Sequence, residues 1–446
     1  MSRRWLPSLE QLTARGGEWR NWGRTQSAFP SYTARPGTID EVAAAVRRAA
    51  ERGGTLKALG AGHSFTAVSA PRDVALSPEH LRGLVAVDAG AKRVTLRAGT
   101  RLFEVPAILA PHGLAMPNLG DIDRQTVAGA ISTGTHGTGL AFGGLATQVV
   151  GATLVDGAGD VITVGDGDPR LAGVALGLGA LGVLVEVTLQ CVEAFVLDAL
   201  EAPQPLDEVI DGFLDTVRAT DHYEFYWFPG TDVALTKTNT RHPGSHRTEP
   251  LSPAKRLIDD RVVGNEALRA MSELGRAVPA FTPGLVRFAA GATGNRRFSD
   301  VSTGVFTTRR TVRFRESEWA VPLAQTMDAF AALRSLVAQH DWNITFPIEV
   351  RAAAADELML STAAGRESGY IAVHRYYRDA DTEYFREVEA LMLSFGGRPH
   401  WGKMHTRDAD FFRAAYPRFG EFLALREQFD PHRVFANDYL DSVLGK

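Results

Sequence analysis

Two glycine-rich segments, "GAGHSF" at 60–65 and "STGTHGTG" at 132–139, constrain this chain more than any other feature. The first follows a β-like run, "TLKAL", and sets Gly60, Ala61 and Gly62 directly before His63. In so small a loop the backbone N–H groups can close around an anion, because no side chain holds it off. Ser64, Ser132, Thr133 and Thr135 add hydroxyls at the same two places. A mostly β-patterned stretch separates the segments. Together they predict a grip on a pyrophosphate that uses neither a helix dipole nor a Walker lysine.

The surrounding pattern is mixed. "GTIDEVAAAVRRAAERGG" (37–54) predicts a helix with a capping box from Thr38 to Glu41 and a stop at Gly53–Gly54. Short strands are expected within 82–102, and a helix leading into extended chain within 103–120. Segment 126–139 is too rich in Gly, Ser and Thr for an ordinary helix or strand. A hairpin is expected from "ATLVD" through "GAGD" to "VITV". Near 195 small residues give way to "FYWFPG" and to a polar stretch at 240–256, which reads as a loop or insertion. Residues 1–195, 196–399 and 400–446 are therefore expected as a first domain, a second domain and a returning C-terminal segment. At 446 residues more than one core is needed.

Composition excludes several classes. A net charge of −4 carries no nucleic-acid footprint. The single cysteine, Cys191, excludes an intrachain disulfide framework and any multi-cysteine metal site. No apolar core follows the paired arginines of "MSRRWLP", so no export signal is expected and the location reads as cytoplasmic. The longest apolar run, 171–189, meets Glu186 too early for a membrane span and reads as a buried turn and strand. Its "GLGALG" (177–182) runs into β-branched "VLVEVTL" and not into a helix, so it is not a dinucleotide fingerprint.

"GAGHSF", "PNLGDIDRQTVAGAISTGTHGTG" (117–139) and "LGALGVLVEVTL" (178–189) resemble the flavin domain of the vanillyl-alcohol oxidase and p-cresol methylhydroxylase superfamily. "VRFRESEWAVP", "FPIEVR", "YIAVH", "RPHWGK" and "FDPHRVFANDYL" resemble its sugar-lactone branch: gulonolactone oxidases and dehydrogenases, arabinonolactone oxidase and the alditol oxidases. The resemblance implies an α+β fold, with a flavin domain and an α+β substrate cap. It implies FAD, bonded covalently through His63. The implied substrate is a sugar lactone or polyol, with O2 or another electron acceptor, no nucleic acid and no membrane span. The cofactor cradle it implies comprises Gly60, Ala61, Gly62, His63, Ser64, Phe65, Asn118, Gly120, Asp121, Thr126, Gly129, Ser132, Thr133, Gly134, Thr135, His136, Gly137, Gly182, Val183, Val185 and Asn437. Alditol oxidases carry serine where this chain has Asp121. A glycine such as Gly120 can leave O2 a path, yet dehydrogenases of this type share it.

Oxidising an alcohol requires a proton acceptor and a cation for the developing alkoxide. "IEVR" sets Glu349 and Arg351 on one face of a strand, where each stabilises the other's charge. The resemblance implies that Arg351 steadies the alkoxide and that Glu349 orients or accepts from the hydroxyl. Only six lysines stand against 42 arginines, so Lys403 in "HWGK" suggests that a compact point charge is wanted there. His374 and His400 match family histidines near the substrate. Arg309, Arg310, Arg313 and Arg315 alternate through "RTVRFRE" and read as a charged outer strand face.

Overall fold

The computed structural model describes residues 13–257, 265–292, 294–308 and 310–446. Helix Ile39–Glu51 buries Val42, Ala43, Ala45, Val46 and Ala49 along one stripe against a four-stranded sheet. The strands of that sheet are Thr13–Arg15, Tyr32–Ala34, Val74–Leu76 and Leu56–Ala58, in that spatial order. The Thr38 hydroxyl accepts from the Glu41 N–H, as the capping pattern predicts, but the Glu41 carboxylate accepts from Gly37 in place of Thr38. Gly53, at φ +62°, follows the helix where an L side chain would be strained.

A five-stranded antiparallel sheet follows, ordered Val161–Gly165, Val149–Val155, Val183–Gln190, Arg93–Arg97 and Leu84–Asp88. The expected hairpin pairs Val155 with Val161 and Gly151 with Gly165. In Val183–Gln190 alternate residues Val183, Val185, Val187 and Leu189 are buried, the period-two signature of a strand with one apolar face. Cys191 is buried and unpaired. No helix among the described residues is long and apolar enough to cross a membrane.

The third sheet has eight strands, ordered Arg296–Val301, Phe195–Pro205, Val233–Pro243, His222–Trp227, Ile348–Ala353, Ser368–Tyr376, Phe314–Pro322 and Arg398–Pro399. Its two faces differ in kind. Phe225, Trp319, Val321, Ile348, Val350, Ile371 and Val373 pack under helices Leu206–Ala219, Thr326–Ala338 and Thr382–Ser394. Their neighbours one residue along, Glu224, Tyr226, Glu316, Glu318, Glu349, Arg351 and His374, belong by alternation to the opposite face. Segment 138–142 is stitched to this sheet: Gly139 N–H donates to Ala352 O (2.8 Å), Ala354 N–H to Phe142 O (2.9 Å) and the Thr138 hydroxyl to Tyr223 O (2.5 Å). After Arg398–Pro399 the chain packs Trp401, Phe412, Phe419, Phe422, Phe429 and Leu440 into the same core as Val94, Leu96 and Ile131.

Three local expectations are corrected. Segment 126–139 does contain a helix, Val127–Ser132, because the Thr126 hydroxyl caps Gly129 N–H and Val127, Ala130 and Ile131 bury a face. Strand Val233–Pro243 takes in the first four residues, 240–243, of the polar stretch expected as a loop at 240–256, since its register with Phe195–Pro205 continues to Phe195 opposite Pro243. The arginine run is no outer face: strand Phe314–Pro322 lies between two others, Arg310 pairs with Asp121 at 2.9 Å and Arg315 with Asp381 at 2.7 Å. Arg309 and the N-terminal "MSRRWLP" lie outside the described residues.

His222 sits where the first sheet system meets the third. It is fully buried between Phe142 and Phe306, with Nδ1 2.8 Å from Thr138 O. Burial, reinforced by Arg241, lowers its pKa to about 4 against the hydrogen bond to Thr138. The unfolded chain takes up this proton below about pH 6.5, whereas the folded chain refuses it until about pH 4, so stability is lost as pH falls through that window. Unfolding free energies from urea titrations between pH 7 and pH 4 should fall less steeply for His222→Gln than for the wild type, by up to about 1.4 kcal/mol per pH unit.

Candidate active site

The charged face of the large sheet meets the first domain in a dense set of ion pairs. Glu318 is 1 % exposed, accepts from Arg351 Nη2 at 2.5 Å, and lies 3.2 Å from His136 Nε2 and 3.9 Å from Lys403 Nζ. Burial alone would raise its pKa, but Arg351, His136 and Lys403 outweigh burial and hold it well below the usual carboxylate range. Glu316, two residues earlier on the same face, pairs with Lys403 and lies 3.6 Å from His374 Nε2. Against burial, Lys403 and His374 hold it down at about 2. Both carboxylates are therefore charged at neutral pH.

Glu349 and Arg351 are 8 % and 7 % exposed on strand Ile348–Ala353, with Arg351 Nε 3.5 Å from Glu349 Oε1. The closer partner of Arg351 is Glu318, and Glu349 accepts from the Tyr226 hydroxyl at 2.9 Å. Tyr226 stands opposite Glu349 in the ladder and also reaches Glu224, which lies 3.5 Å from Lys237. Burial, with Glu224 and Glu349 beside it, keeps the Tyr226 phenol protonated. The guanidinium stays charged despite burial because Glu349, Glu318 and Glu224 surround it.

The two neighbouring histidines are held differently. His374 Nδ1 lies 2.9 Å from Pro347 O, leaving Nε2 toward Glu316. His400 Nδ1 accepts from Gly402 N–H (3.0 Å) and Nε2 lies 3.1 Å from Gly134 O, so both ring nitrogens are spent on backbone. Burial lowers the His400 pKa to about 3. His400 thus positions the 400–403 turn and has no ring nitrogen left to take a proton from a substrate.

That turn is sewn to the first glycine-rich loop. Phe65 N–H donates to Gly402 O (2.7 Å), and the Thr66 hydroxyl donates to Trp401 O (2.9 Å). A side chain at 402 would meet Ser64 Oγ at 3.1 Å and His400 Cε1 at 3.3 Å, so it would have to press these side chains aside. Among the described residues, none of the backbone N–H groups from Gly60 through Ser64 finds a protein acceptor. Such a row of free donors, with Gly62 at φ +73°, has the form of a backbone nest that can accept an anion. Gly60 and Gly129 both approach the Thr126 hydroxyl closely. A Cβ on Gly137 would strike Leu119 O at 2.3 Å, and one on Gly120 would meet His136 O at 3.0 Å. The segments around 60, 120, 129 and 137 are thereby drawn into contact. Asn118 Nδ2 donates to Thr138 O at 3.2 Å.

Beside this nest lies a cavity of about 420 Å³, lined by Trp22, His63, Ile122, Asp123, Arg124, Thr308, Arg310 and Thr311. The His63 ring stacks on Trp22 at 5.7 Å and makes no hydrogen bond among the described residues. Burial, aided by Arg101, Lys403 and Arg124, lowers its pKa to about 4, so the imidazole is neutral at pH 7. Free amides for a pyrophosphate, a ligand-sized cavity and an unengaged histidine on its wall fit a dinucleotide such as FAD.

Other expected cradle residues also carry local structural roles. Val183 and Val185 are in the core with Val42 and Val46, and Gly182 serves a close approach to Val155 O. The hydroxyls of Thr126 and Thr133 are used within the 126–133 helix, and that of Thr135 accepts from Gln125. Ser132 closes that helix, and its carbonyl accepts from Leu178 N–H. Asn437 caps helix Asp438–Leu444 and donates to the carbonyls of Ala67, Val68 and Ala70. Sequence reasoning missed Glu316, Glu318, Tyr226, Glu224, Lys237 and Arg310. The signal was present in "RESEW", whose alternating carboxylates repeat the spacing of "IEVR".

Comparison with known proteins agrees with this geometry. Residues 187–443 match the family described as D-arabinono-1,4-lactone oxidase, and residues 30–165 match an FAD binding domain. The chain is 38% identical over 427 residues to L-gulono-1,4-lactone dehydrogenase of Mycobacterium tuberculosis, covering 96% of this chain and 99% of that one. It is 31% identical to an alditol oxidase of a Streptomyces species, covering 95% and 98%. In fold it is similar to the crystal structure of cholesterol oxidase from B. sterolicum, with a TM-score of 0.83, 19% identity and 98% of each chain covered. The chain belongs to the D-arabinono-1,4-lactone oxidase family, within the vanillyl-alcohol oxidase and p-cresol methylhydroxylase type of FAD flavoproteins.

Proposed function

We propose that this flavoenzyme oxidises the C2 hydroxyl of an aldono-1,4-lactone of the gulono or arabinono type, the step that leads to an ascorbate-like product. The observation that carries the proposal is the buried array in which Arg351 bridges Glu318 and Glu349 while Lys403 closes on Glu316. FAD, when bound, supplies the hydride acceptor. Gly60 to Ser64 hold its pyrophosphate, with the 118–121 and 132–137 segments around it. Glu349 receives the proton of the substrate hydroxyl, held toward it by the Tyr226 phenol. Arg351 faces the developing alkoxide with a charge fixed in place before reaction, so little reorganisation is needed. Glu318 keeps that guanidinium aimed, and Lys403 adds a second positive charge. His136, His374 and His400 position these groups. Domains at 1–195, 196–399 and 400–446 are part of the proposal, with the site at their junction.

A panel of aldonolactones and open polyols, assayed with O2 and with an artificial dye as acceptor, tests the substrate class. The expected outcome is turnover of lactones well above polyols. Preference for an open polyol would assign the alditol reaction instead. Asp121 is tied to Arg310 where alditol oxidases carry serine, so that contact differs from theirs.

The flavin is proposed to be bonded through His63, whose neutral and unengaged ring is free to make that bond. Acid precipitation should give a yellow pellet from the wild type and a colourless one, with flavin in the supernatant, from His63→Ala. A colourless wild-type pellet from flavin-loaded protein rejects the link.

Arg351→Ala should reduce kcat by at least about 100-fold, because removing one preorganised charge donor costs roughly 2.7–4 kcal/mol. Near-normal kcat would return the pair to a structural role. Lys403→Met should slow flavin reduction and weaken sulfite binding without substrate present. Loss of turnover with sulfite affinity retained would mean that Lys403 serves the substrate alone.

A further inference from the structure

Away from this site, strand Phe195–Pro205 runs antiparallel to Val233–Pro243, with Asp198 opposite Thr240 and Val196 opposite His242. The chain then turns at "HPGSH", where His246 N–H donates to Pro243 O at 2.8 Å and brings His246 back over the strand end. The His242 and His246 rings stack face to face, 4.2 Å between centroids and 14° from parallel. Both present Nε2 to one carboxylate: His242 lies 3.5 Å from Asp198 Oδ2 and His246 4.0 Å from Asp198 Oδ1. The ligand atoms of the three residues all fall within 4.8 Å of one another.

This arrangement suits a positive centre between its members. At 3.5 and 4.0 Å neither imidazole is within good hydrogen-bond range of Asp198, so both Nε2 atoms are open to a stronger partner, which their unprotonated forms can bind through the lone pair. Two imidazolium rings stacked at 4.2 Å would repel each other, with a single aspartate to share. One divalent cation satisfies all three groups together. The spacing suits it, since two ligands about 2.0–2.1 Å from a tetrahedral metal lie about 3.4 Å apart. The His242–Asp198 separation of 3.5 Å is already that edge; the stacked rings do not converge on one point, so His246, at 41% side-chain exposure, rotates out of the stack to aim its Nε2 at the metal and close the longer edge. Two imidazoles and a carboxylate form a borderline donor set, suited to zinc and its neighbours and poorly suited to magnesium or calcium. Arg297 Nη2 lies 3.8 Å from Asp198 Oδ2, but its side chain is 76% exposed. So exposed a pair is weak, and the arginine can swing into water when a metal takes its place.

We propose that Asp198, His242 and His246 form a binding site for a divalent transition cation of the zinc class, with water completing the coordination. The metal would clasp the turn after Pro243 to the strand that begins at Phe195. Untagged, FAD-loaded protein cleared of metal with a chelator is titrated with zinc chloride by calorimetry, with magnesium in excess throughout. The wild type should bind zinc through this site and gain melting temperature as it does so. The double variant His242→Ala/His246→Ala should lose about 100-fold or more in affinity, together with the thermal gain. Asp198→Asn, which keeps both rings, should weaken binding about tenfold or more. Retained circular dichroism and flavin absorbance verify that each variant is folded. Zinc affinity equal to wild type in the double variant, or no zinc binding by the folded wild type, overturns the site. Unchanged affinity in Asp198→Asn overturns the three-residue assignment.

Discussion

The buried carboxylate of Glu318 is the point on which the rest of the molecule turns. It receives Arg351 from a strand two places away in the large sheet, His136 from the glycine-rich segment and Lys403 from the chain beyond that sheet. Three regions distant in sequence thus share one negative charge in a place that water does not reach. Such a group is expensive to bury, and removing a partner leaves an uncompensated charge. The arrangement makes weak sense as a stabilising device, since an apolar core would serve as well. It makes good sense as a way of holding cations at fixed positions beside a reacting substrate.

The two-faced sheet explains how such a charge density is tolerated. Period-two alternation sends Ile348, Val350 and Ala352 into an apolar layer under three helices while Glu349 and Arg351 go the other way. The same alternation in Phe314–Pro322 separates Trp319 and Val321 from Glu316 and Glu318. One residue of register slip would exchange the two sets, so the apolar face fixes the polar one. Packing energy on one side therefore positions chemistry on the other.

Much of this was legible in the sequence, and the exceptions have physical causes. The Glu349–Arg351 spacing, the hairpin at 149–165, the glycine-rich loop and the strand after "GLGALG" are local patterns, and local patterns survive folding. The Val127–Ser132 helix was missed because its composition is poor for a helix; a threonine cap and a buried Val–Ala–Ile stripe override propensity there. Glu316 and Glu318 were overshadowed by the arginines just before them. Which of those charges faces inward depends on strands far away in sequence, and a single segment carries no record of its neighbours. The spent ring nitrogens of His400 were unreadable for the same reason: Gly134 lies far from it in sequence. Likewise, a strand that outruns its expected end at 240 owes its length to Phe195–Pro205.

The return of the C-terminal segment has a consequence for biogenesis. Val434 and Phe435 pack with Val42, Val46 and Leu56, and Leu56 N–H donates to Val434 O at 2.7 Å. Trp401 and Gly402 supply carbonyls to the loop that carries His63. Nascent domains ordinarily complete themselves in order as they leave the ribosome. Here the first half, its sheet edge and the His63 loop included, gains its full set of partners only from residues past 400 and 435, so its folding is coupled to chain that follows hundreds of residues later.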